Sequence, residues 1–384
     1  MTIRIYNDKI RFTDGTNSVD LLVESDGLRF TGSLTVNANS TFVRPIAIPP
    51  PSVGGEGQKI YAVGSYQGTG TYLRDIQYWP GAISSGTATD IGDLGPNGVA
   101  SNCPSNSSPT HGFNTTSGTY PGFFGPLTRI TSFPFVTSGA SGTNVGSLPT
   151  YNHTSGSSSN TTETAFIVGG SGPPGTAVTE TSKFTFSNAS SATITASLPL
   201  ARKDAGQQMQ NLTTSIAIGG PPAPSIPPYV HRDGVKFTFA NETFAVQPIP
   251  YFPTSPYSPN DYKSTYGHAG FSSLSNNKAY KSGGDIMTGA PFGTSSTTTI
   301  SGIQAYSFAS DTLALVGDTS LNPGAQHANA SPTPEYGFIS GGQRSSPTGT
   351  YQTNIVKFPF ASEGNATDIA DLATGTSRHS SHQD

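Results

Sequence analysis

The chain has 384 residues, a net charge of −4 and only 11% charged residues, together with 45 Gly, 31 Pro, 16 Tyr and 21 Phe. No basic stripe is present to neutralise phosphates, which excludes a nucleic-acid partner, and no apolar run could cross a bilayer, which excludes membrane insertion. The single cysteine, Cys103, excludes an intrachain disulfide framework and a cysteine-based zinc site.

The first 45 residues predict short strands joined by turns such as Asp14-Gly15 and Asp26-Gly27. A segment this short cannot readily build a core of its own. One interpretation is a small β-appendage lying on the rest of the chain. The favoured one is a docking or oligomerising segment, residues 1–45, that completes its core with another chain. The candidate docking residues are Ile3, Ile5, Tyr6, Ile10, Phe12, Leu21, Leu28 and Phe30.

Residues 46–58 are rich in Pro and Gly and include the run Pro49-Pro50-Pro51. Such a run is typical of a semi-rigid spacer between a docking segment and the domain that follows it. No secretion signal is visible at the N-terminus, because the opening residues lack a long apolar core. We therefore expect synthesis in a cytoplasm and release by a route other than the usual export signal.

Residues 59–384 contain six copies of one sequence pattern. The clearest part is an aromatic strand, and its six copies are separated by 55, 51, 53, 69 and 52 residues. A short apolar strand ending in Gly-Gly precedes most copies, and a phrase like Ala366-Thr367-Asp368-Ile369-Ala370-Asp371-Leu372 follows them. The marker rings are Tyr78, Phe133, Phe184, Phe237, Tyr306 and Phe358.

Each copy has the pattern of a half-buried strand. In the last copy Val356, Phe358 and Phe360 alternate with Ile355, Lys357 and Pro359, which predicts one buried and one exposed face. A unit of about 52 residues with three or four strands is typical of a propeller blade of the kelch kind. The sequence thus predicts an all-β fold, a six-bladed kelch-like β-propeller with a small N-terminal β-rich docking segment. A β-solenoid is the alternative, although its rungs are usually shorter.

The gap of 69 residues marks an insertion of about 17 residues before the fifth marker, rich in rings, Pro, Ser and Asn. Aromatic faces among flexible polar residues are typical of sugar-binding or protein-binding loops. The other interpretation is that these rings fill a small satellite core. The candidate receptor-contact residues are Tyr251, Phe252, Tyr257, Tyr262, Tyr266 and His268.

Other motifs give no catalytic, cofactor or metal site. The stretch Gly170-Ser171-Gly172-Pro173-Pro174-Gly175 matches a dinucleotide fingerprint, but its two prolines oppose the helix that this site needs. His379 and His382 have a spacing that suits a metal, yet a solvated segment is the favoured interpretation. The aspartate pairs Asp90/Asp93 and Asp368/Asp371 have a spacing that suggests a calcium site. The favoured interpretation is that these residues end strands or cap turns. We expect no enzyme activity and no cofactor.

The best copy runs Tyr336-Gly337-Phe338-Ile339-Ser340-Gly341-Gly342, then Ile355-Val356-Lys357-Phe358-Pro359-Phe360, then Asn365-Ala366-Thr367-Asp368-Ile369, then Arg378-His379-Ser380-Ser381-His382-Gln383. In this order the chain resembles the kelch-like repeat proteins of marine tailed phages, chiefly cyanophages. The match is best over residues 335–384 and decays over 59–334. The opening, residues 5–15, also looks like the start of phage appendage proteins. The resemblance implies a virion protein released by lysis.

Three hypotheses follow. The first is a tail-fibre or tail-appendage adhesin that docks on other virion proteins through residues 1–45, forms a homo-oligomer such as a trimer, and touches a host surface polysaccharide through its propeller. The second is a capsid or tail decoration protein that binds only other virion chains. The third is a glycan depolymerase, which requires paired acidic residues over a cleft.

Overall fold

The chain divides into two compact units, Met1–Val53 and Gly54–Asp384, in a computed structural model. The sequence placed the end of the first segment at residue 45 and a linker at 46–58. Residues 32–57 lie outside the described residues, so the linker is not described. The structure describes residues 2–5, 9–13, 18–24, 27–31, 58–67, 71–95, 104–115, 128–149, 157–172, 176–202, 209–220, 234–247, 265–288, 296–319, 326–344 and 350–384.

The first unit contains a four-stranded antiparallel sheet whose strands are neighbours in chain order. All four strands that the sequence predicted are present: Thr2–Ile5, Lys9–Thr13, Ser18–Glu24 and Gly27–Thr31. Because consecutive strands pair through short connections, the sheet is a simple meander. Of the candidate docking residues, Tyr6 lies outside the described residues and the other seven lie in these strands.

The second unit is a six-bladed β-propeller, and the described residues contain no helix. Strands are labelled a to d from the axis outward. They are Ser380–Gln383, Lys59–Gln67, Thr71–Pro80 and Thr89–Asp93 in blade 1; Ser105–Ser107, His111–Thr115, Arg129–Pro134 and Thr143–Ser147 in blade 2; Ser157–Asn160, Thr164–Val168, Thr181–Thr185 and Ser191–Thr193 in blade 3; Thr214–Ile218, Gly234–Thr238 and Thr243–Gln247 (b to d) in blade 4; Ala269–Ser273, Lys278–Ser282, Gly302–Ser307 and Thr312–Asp318 in blade 5; and Asn329–Pro332, Tyr336–Ser340, Asn354–Pro359 and Thr367–Asp371 in blade 6.

Short additional strands complete the sheets. Ala140–Ser141 of blade 2 pairs in parallel with strand d of blade 1. In blade 4 the place of strand a is taken by a single bridge between Gln210 and Ser215. Two small sheets extend the connections of blades 3 and 5; their strands are Ser171–Gly172 with Thr176–Ala177, and Thr265–Tyr266 with Asp285–Thr288 and Ser296–Thr299.

The ring is closed by strand a of blade 1, which the far end of the repeat region supplies. Ser380–Gln383 pairs antiparallel with strand b of the same blade, which begins at Lys59. The ion pair between Lys59 Nζ and Asp384 Oδ2, at 2.8 Å, holds the outer end of this pairing. Blade 1 therefore joins residues more than 300 positions apart, which locks the first and last repeats together.

Rings of neighbouring blades pack together to form the core between blades. An aromatic ring on strand b packs on the two rings of the Phe-x-Phe phrase in the next blade, with centroids 5.0 Å apart for Tyr61–Phe135, 5.4 Å for Phe166–Phe239 and 5.1 Å for Tyr280–Phe360. Five of the predicted marker rings are at most 1% exposed. The sixth was wrong by one residue, because the register pairs Ile60 with Trp79 and Trp79 is the buried ring.

A β-bulge in strand c interrupts the alternation of buried and exposed residues that the sequence predicted. The pairing with strand d shifts register between Ile355 and Val356, and also at the matching positions of blades 1, 2 and 5. A bulge inserts one extra residue and bends its strand. As a result Ile355 is buried together with Val356, whereas the period of two holds from Val356 to Phe360. The interrupted period is a repeated feature of the blade.

Candidate functional site

The antiparallel order of strands sorts the connections of the propeller onto two faces. Connections from a to b and from c to d leave one face, which we call the turn face. Connections from b to c and from d to the next strand a leave the opposite face, which we call the loop face. The chain enters the propeller at Lys59, the first residue of a strand b, and therefore at the turn face.

The turn face is built from short connections with repeated chemistry. In five blades a side-chain oxygen at the same place accepts hydrogen bonds from backbone amides across the a–b turn, as in an Asx or Ser/Thr turn. Asn211, for example, accepts from the amides of Thr213 and Thr214 at 2.9 and 2.8 Å. The five turn residues are Ser108, Thr161, Asn211, Ser273 and Thr333. These contacts fix the turns without long side chains.

The loop face carries the long connections. They are rich in Gly, Pro, Ser, Thr and aromatic residues and contain few charged residues; the longest are 116–128, 194–209, 219–233, 248–264, 283–301 and 341–353. In blades 1, 3 and 5 the connection from b to c continues as an antiparallel strand pair, as Ser65–Gln67 does against Thr71–Leu73 in blade 1. A surface of this composition is uncharged, polar and aromatic.

The predicted receptor-contact residues belong to a d–a connection, so the loop that carries them starts and ends on the loop face. Tyr251, Phe252, Tyr257 and Tyr262 lie outside the described residues. Tyr266 lies in the short strand Thr265–Tyr266, where it pairs with Asp285 of the neighbouring hairpin. His268 is buried, with 6% of its surface exposed, so it does not belong to an exposed contact surface.

Three of the described residues, each of which precedes an inner strand, form part of the rim of the axis on the loop face. Gly267, His327 and Arg378 all have a positive φ, of 63°, 54° and 59°. The amide of His327 donates to the Gly267 carbonyl, and the amide of Arg378 donates to the His327 carbonyl at 2.9 Å. The left-handed turn at each residue lets one blade hydrogen-bond to the next around the rim.

His379 and His382 correct the sequence interpretation, which placed them in a solvated segment. Both are buried, at 1% and 0% exposure, because they lie in or beside the closure strand. Burial lowers the pKa of His379 to about 4 and that of His382 to about 3, so both rings are neutral near pH 7. Nε2 of His379 lies 2.9 Å from the Ser340 hydroxyl.

His382 belongs to a chain of hydrogen bonds that runs between inner strands. Ser331 of blade 6 donates to the His382 carbonyl at 3.3 Å, and Asn106 of blade 2 donates to the Ser159 carbonyl at 2.9 Å. Nδ1 of His382 lies 3.1 Å from the Asn106 carbonyl oxygen, and Nε2 lies 2.7 Å from Oδ1 of Asn114. A neutral imidazole has one N–H, so it donates to one of these two oxygens. The histidine is a structural connector between blades.

Two further buried cations lie beside blades 4 and 5. Burial lowers the pKa of the Lys281 ammonium to about 7. Arg202 donates from Nη1 to the carbonyls of Ala217 and Gly219, at 3.5 and 3.4 Å. Both groups occupy positions where burial of a charge requires polar contacts.

The other motifs considered in the sequence have structural roles. Ser171–Gly172 of the glycine-rich stretch forms a strand pair with Thr176–Ala177 rather than opening a helix. Asp368 accepts from the Asn354 amide at 2.7 Å, and Asp371 accepts from the Thr353 hydroxyl at 2.6 Å. The described residues contain no group of three or more His, Cys, Asp or Glu side chains placed to hold a metal ion. They also contain no helix long and apolar enough to cross a membrane.

The inner strands were missed from the sequence because they are polar. Ser105-Asn106-Ser107, Ser157–Asn160 and Ser380–Gln383 lack the alternation of apolar residues that marks a half-buried strand. Their recurrence as Ser-rich stretches of three or four residues between the repeats is the signal that could have identified them. The lysine–acid pairs between blades were also missed, since each joins residues 59 to 85 positions apart.

The chain matches neither a family model nor a curated protein. Among solved structures it is similar to YjhT, a β-propeller, with a TM-score of 0.54 and 12% sequence identity. The similarity covers 75% of this chain and 89% of that chain. At this identity the likeness shows the fold alone.

Proposed function

We propose that the chain is a structural protein of a tailed-phage virion, a tail-fibre or tail-appendage adhesin. In this proposal the N-terminal unit docks on other virion proteins, and the propeller contacts the host surface. Two kinds of support exist: the resemblance of the repeats to phage kelch-like proteins, and the sorting of connections onto two faces.

The observation that carries the proposal is that the first strand of the propeller begins on one face and the long loops leave the opposite face. The chain enters the propeller at Lys59 on the turn face, whereas the long b–c and d–a connections start and end on the opposite face. A head fastened on its turn face keeps these loops free for a partner. Loops on a rigid scaffold are where binding residues concentrate.

The chemistry of the loop face favours an uncharged, hydroxyl-rich partner. Ser, Thr and Asn offer adaptable hydrogen bonds, and Tyr and Phe offer flat apolar faces for sugar rings. With few charged residues in these loops, electrostatic steering has little to act on. A host surface polysaccharide fits this chemistry, and several copies per particle convert weak contacts into firm attachment.

The register of the N-terminal sheet supports docking. Ile3 pairs with Phe12, Ile5 with Ile10, Ile10 with Leu21, and Leu21 with Phe30. Residues that pair directly across strands share one face of a sheet, so these apolar positions fall on one face and Arg4, Arg11, Asp20 and Arg29 on the other. A layer with one apolar face is stable when a second layer covers it. A virion protein or further copies of the chain would supply that layer.

The proposal is tested by locating the chain on purified particles. Gold-labelled Fab fragments against the propeller should decorate the tail tip or fibres in negative stain. A variant lacking residues 1–53 should give a folded propeller that no longer enters particles. Labelling of the capsid would favour the decoration protein instead, and assembly of the truncated variant into particles would refute docking.

A separate assay distinguishes adhesion from glycan cleavage. The purified full chain is incubated with host surface polysaccharide, and both retention of the chain and release of reducing ends are measured. The adhesin should bind without releasing reducing ends. Steady release would establish the depolymerase and overturn the adhesin proposal.

A further inference from the structure

The c–d hairpins of three blades carry an acidic residue at one equivalent, left-handed position. Glu242, Asp311 and Glu363 have φ values of 53°, 53° and 48°. Each carboxylate accepts from a lysine of the preceding blade: Lys183 at 2.5 Å for Glu242, Lys236 for Asp311, and Lys278 at 2.8 Å for Glu363. The three acidic positions are equivalent, whereas Lys183 and Lys236 lie on strand c and Lys278 lies on strand b.

At two of the three sites a tyrosine completes the arrangement. Tyr306 donates its phenol to Asp311 at 2.5 Å, and Tyr280 donates to Glu363 at 2.9 Å. Burial raises the pKa of both phenols, so they are protonated donors at any ordinary pH. Each carboxylate there has two donors, an ammonium and a hydroxyl.

The third site lacks the hydroxyl. In blade 5, Ala279 pairs with the marker ring Tyr306, and Tyr280 is the next residue of strand b. In blade 3, Ala165 pairs with the marker ring Phe184, and Phe166 is the next residue, so Phe166 is equivalent to Tyr280. The place of Tyr306 itself is taken by Phe237, which pairs with Ser215 of strand b. Both tyrosine positions are therefore phenylalanines. Within the part of the chain that the structure describes, Glu242 has Lys183 as its one hydrogen-bond donor.

A groove between blades 3 and 4 opens on the turn face at this third site. Lys183 and Glu242 line it, together with the rings of Phe166 and Phe239 and hydroxyls including those of Thr164 and Ser191. The phenyl rings are buried and give an apolar base, whereas Lys183 and Glu242 are about one-third exposed. Seven of the eleven lining residues are Ser, Thr, Lys or Glu, and three are phenylalanines.

We propose that this groove binds a neutral hexose unit, one hydroxyl of which donates to Glu242 in the place of the missing phenol. The lysine and the carboxylate cancel each other's charge, which favours a neutral ligand over an anion or a cation. Adjacent hydroxyls of a sugar can donate to Glu242 and accept from Lys183. The groove is on the turn face, so it is a second site, separate from the loops, and it is independent of any place in a virion.

The test is a binding titration of the purified full chain with methyl α-D-glucopyranoside, methyl α-D-mannopyranoside and methyl β-D-galactopyranoside, followed by ligand-observed NMR. At least one glycoside should bind saturably with a dissociation constant on the order of 1 mM. Phe166→Tyr restores the phenol and should weaken that binding by about tenfold or more, and Glu242→Gln should do the same. Asp311→Asn is the matched control, because it removes an equivalent carboxylate away from the groove and should leave the binding unchanged.

Thermal unfolding of each variant shows that it is folded before binding is measured. If Phe166→Tyr does not fold, Glu242→Gln alone decides. Absence of saturable binding by all three glycosides would overturn the proposal, and so would glycoside binding that survives both groove variants. Groove-dependent binding of a Ser/Thr-rich peptide with no glycoside binding would assign the groove to a protein partner and refute the hexose.

Discussion

The turn face and the loop face of the propeller are built from the same strands but follow different rules. On the turn face, equivalent positions repeat the same hydrogen-bonded turn in five blades, and an acidic residue at one equivalent position pairs with a lysine of the preceding blade in three. On the loop face, connections differ in length and sequence from blade to blade. The comparison teaches that the repeated half of each blade holds the ring together and the varied half is free to bind. It predicts that changes to the ring affect stability, whereas changes to the loops affect binding.

The largest effect is expected from breaking the ring at its closure. Deleting residues 380–384 removes strand a of blade 1, the buried ring of His382 and the Lys59–Asp384 ion pair. Strand b of blade 1 then exposes an unpaired edge next to the axis. We expect loss of cooperative unfolding, measured by calorimetry and by near-ultraviolet circular dichroism. A propeller that melts at an unchanged temperature without these residues would contradict the closure.

The matched control is deletion of residues 1–53. These residues belong to the other compact unit, so the propeller should keep its cooperative melting transition. The two deletions together distinguish a structural role of the closure from a general cost of truncation.

The second largest effect is expected from acid. His379 and His382 have folded pKa values of about 4 and about 3, below the unfolded value of 6.5. A base whose pKa is depressed on folding contributes full stability above the unfolded pKa and loses it as the pH falls. Between pH 7 and pH 5, protonation of each histidine in the unfolded chain should lower the free energy of unfolding by about 2 kcal/mol. Denaturation in urea at each pH measures this change.

Replacing both histidines isolates their contribution. The variant with His379→Gln and His382→Gln keeps hydrogen-bonding groups but cannot titrate, so its free energy of unfolding should change less between pH 7 and pH 5. An equally steep fall in this variant would assign the acid sensitivity to other groups.

The fold was largely predictable, because rings and glycines recur with a fixed period. Phe133, Phe184, Phe237, Tyr306 and Phe358 are all buried markers of strand c, and the six blades follow from them. The error at Tyr78 arose because the next residue, Trp79, is also aromatic and only the register with Ile60 separates them. The β-bulges could not be predicted from the sequence, since one extra residue in a strand does not change its composition recognisably.

The sites were much less predictable. Polar inner strands have no apolar period, so the burial of His382 depends on its pairing with Tyr61, which lies more than 300 residues earlier in the chain. The groove between blades 3 and 4 depends on two phenylalanines where equivalent positions have tyrosine. Phe166 and Phe237 look like ordinary core residues until the Lys183–Glu242 contact is known. Contacts between distant repeats carry this information, and local patterns do not.

The third prediction concerns the close approach of neighbouring blades on the ring side of the comparison. Gly317 of strand d lies against the backbone of Gly364 in blade 6, and an added Cβ would overlap the Gly364 carbonyl. Gly317→Ala should destabilise the propeller by about 2 kcal/mol, because backbone must shift. Gly302→Ala is the control, since its Cβ would meet only the flexible end of Leu315 at 3.0 Å. Equal effects of the two substitutions on the free energy of unfolding would refute the close approach.

The smallest effect on stability is expected from the largest change on the loop face. Residues 248–264 are replaced by a Gly/Ser linker as long as the connection 372–379 of blade 6. Halving a loop changes its closure entropy by only about 0.6 kcal/mol, so the urea midpoint should move little. Binding of the fluorescently labelled chain to host cells should fall sharply, because the aromatic candidates are removed with the loop. A large loss of stability with binding retained would reverse the comparison, making this connection part of the ring and the repeated face the one that meets the host.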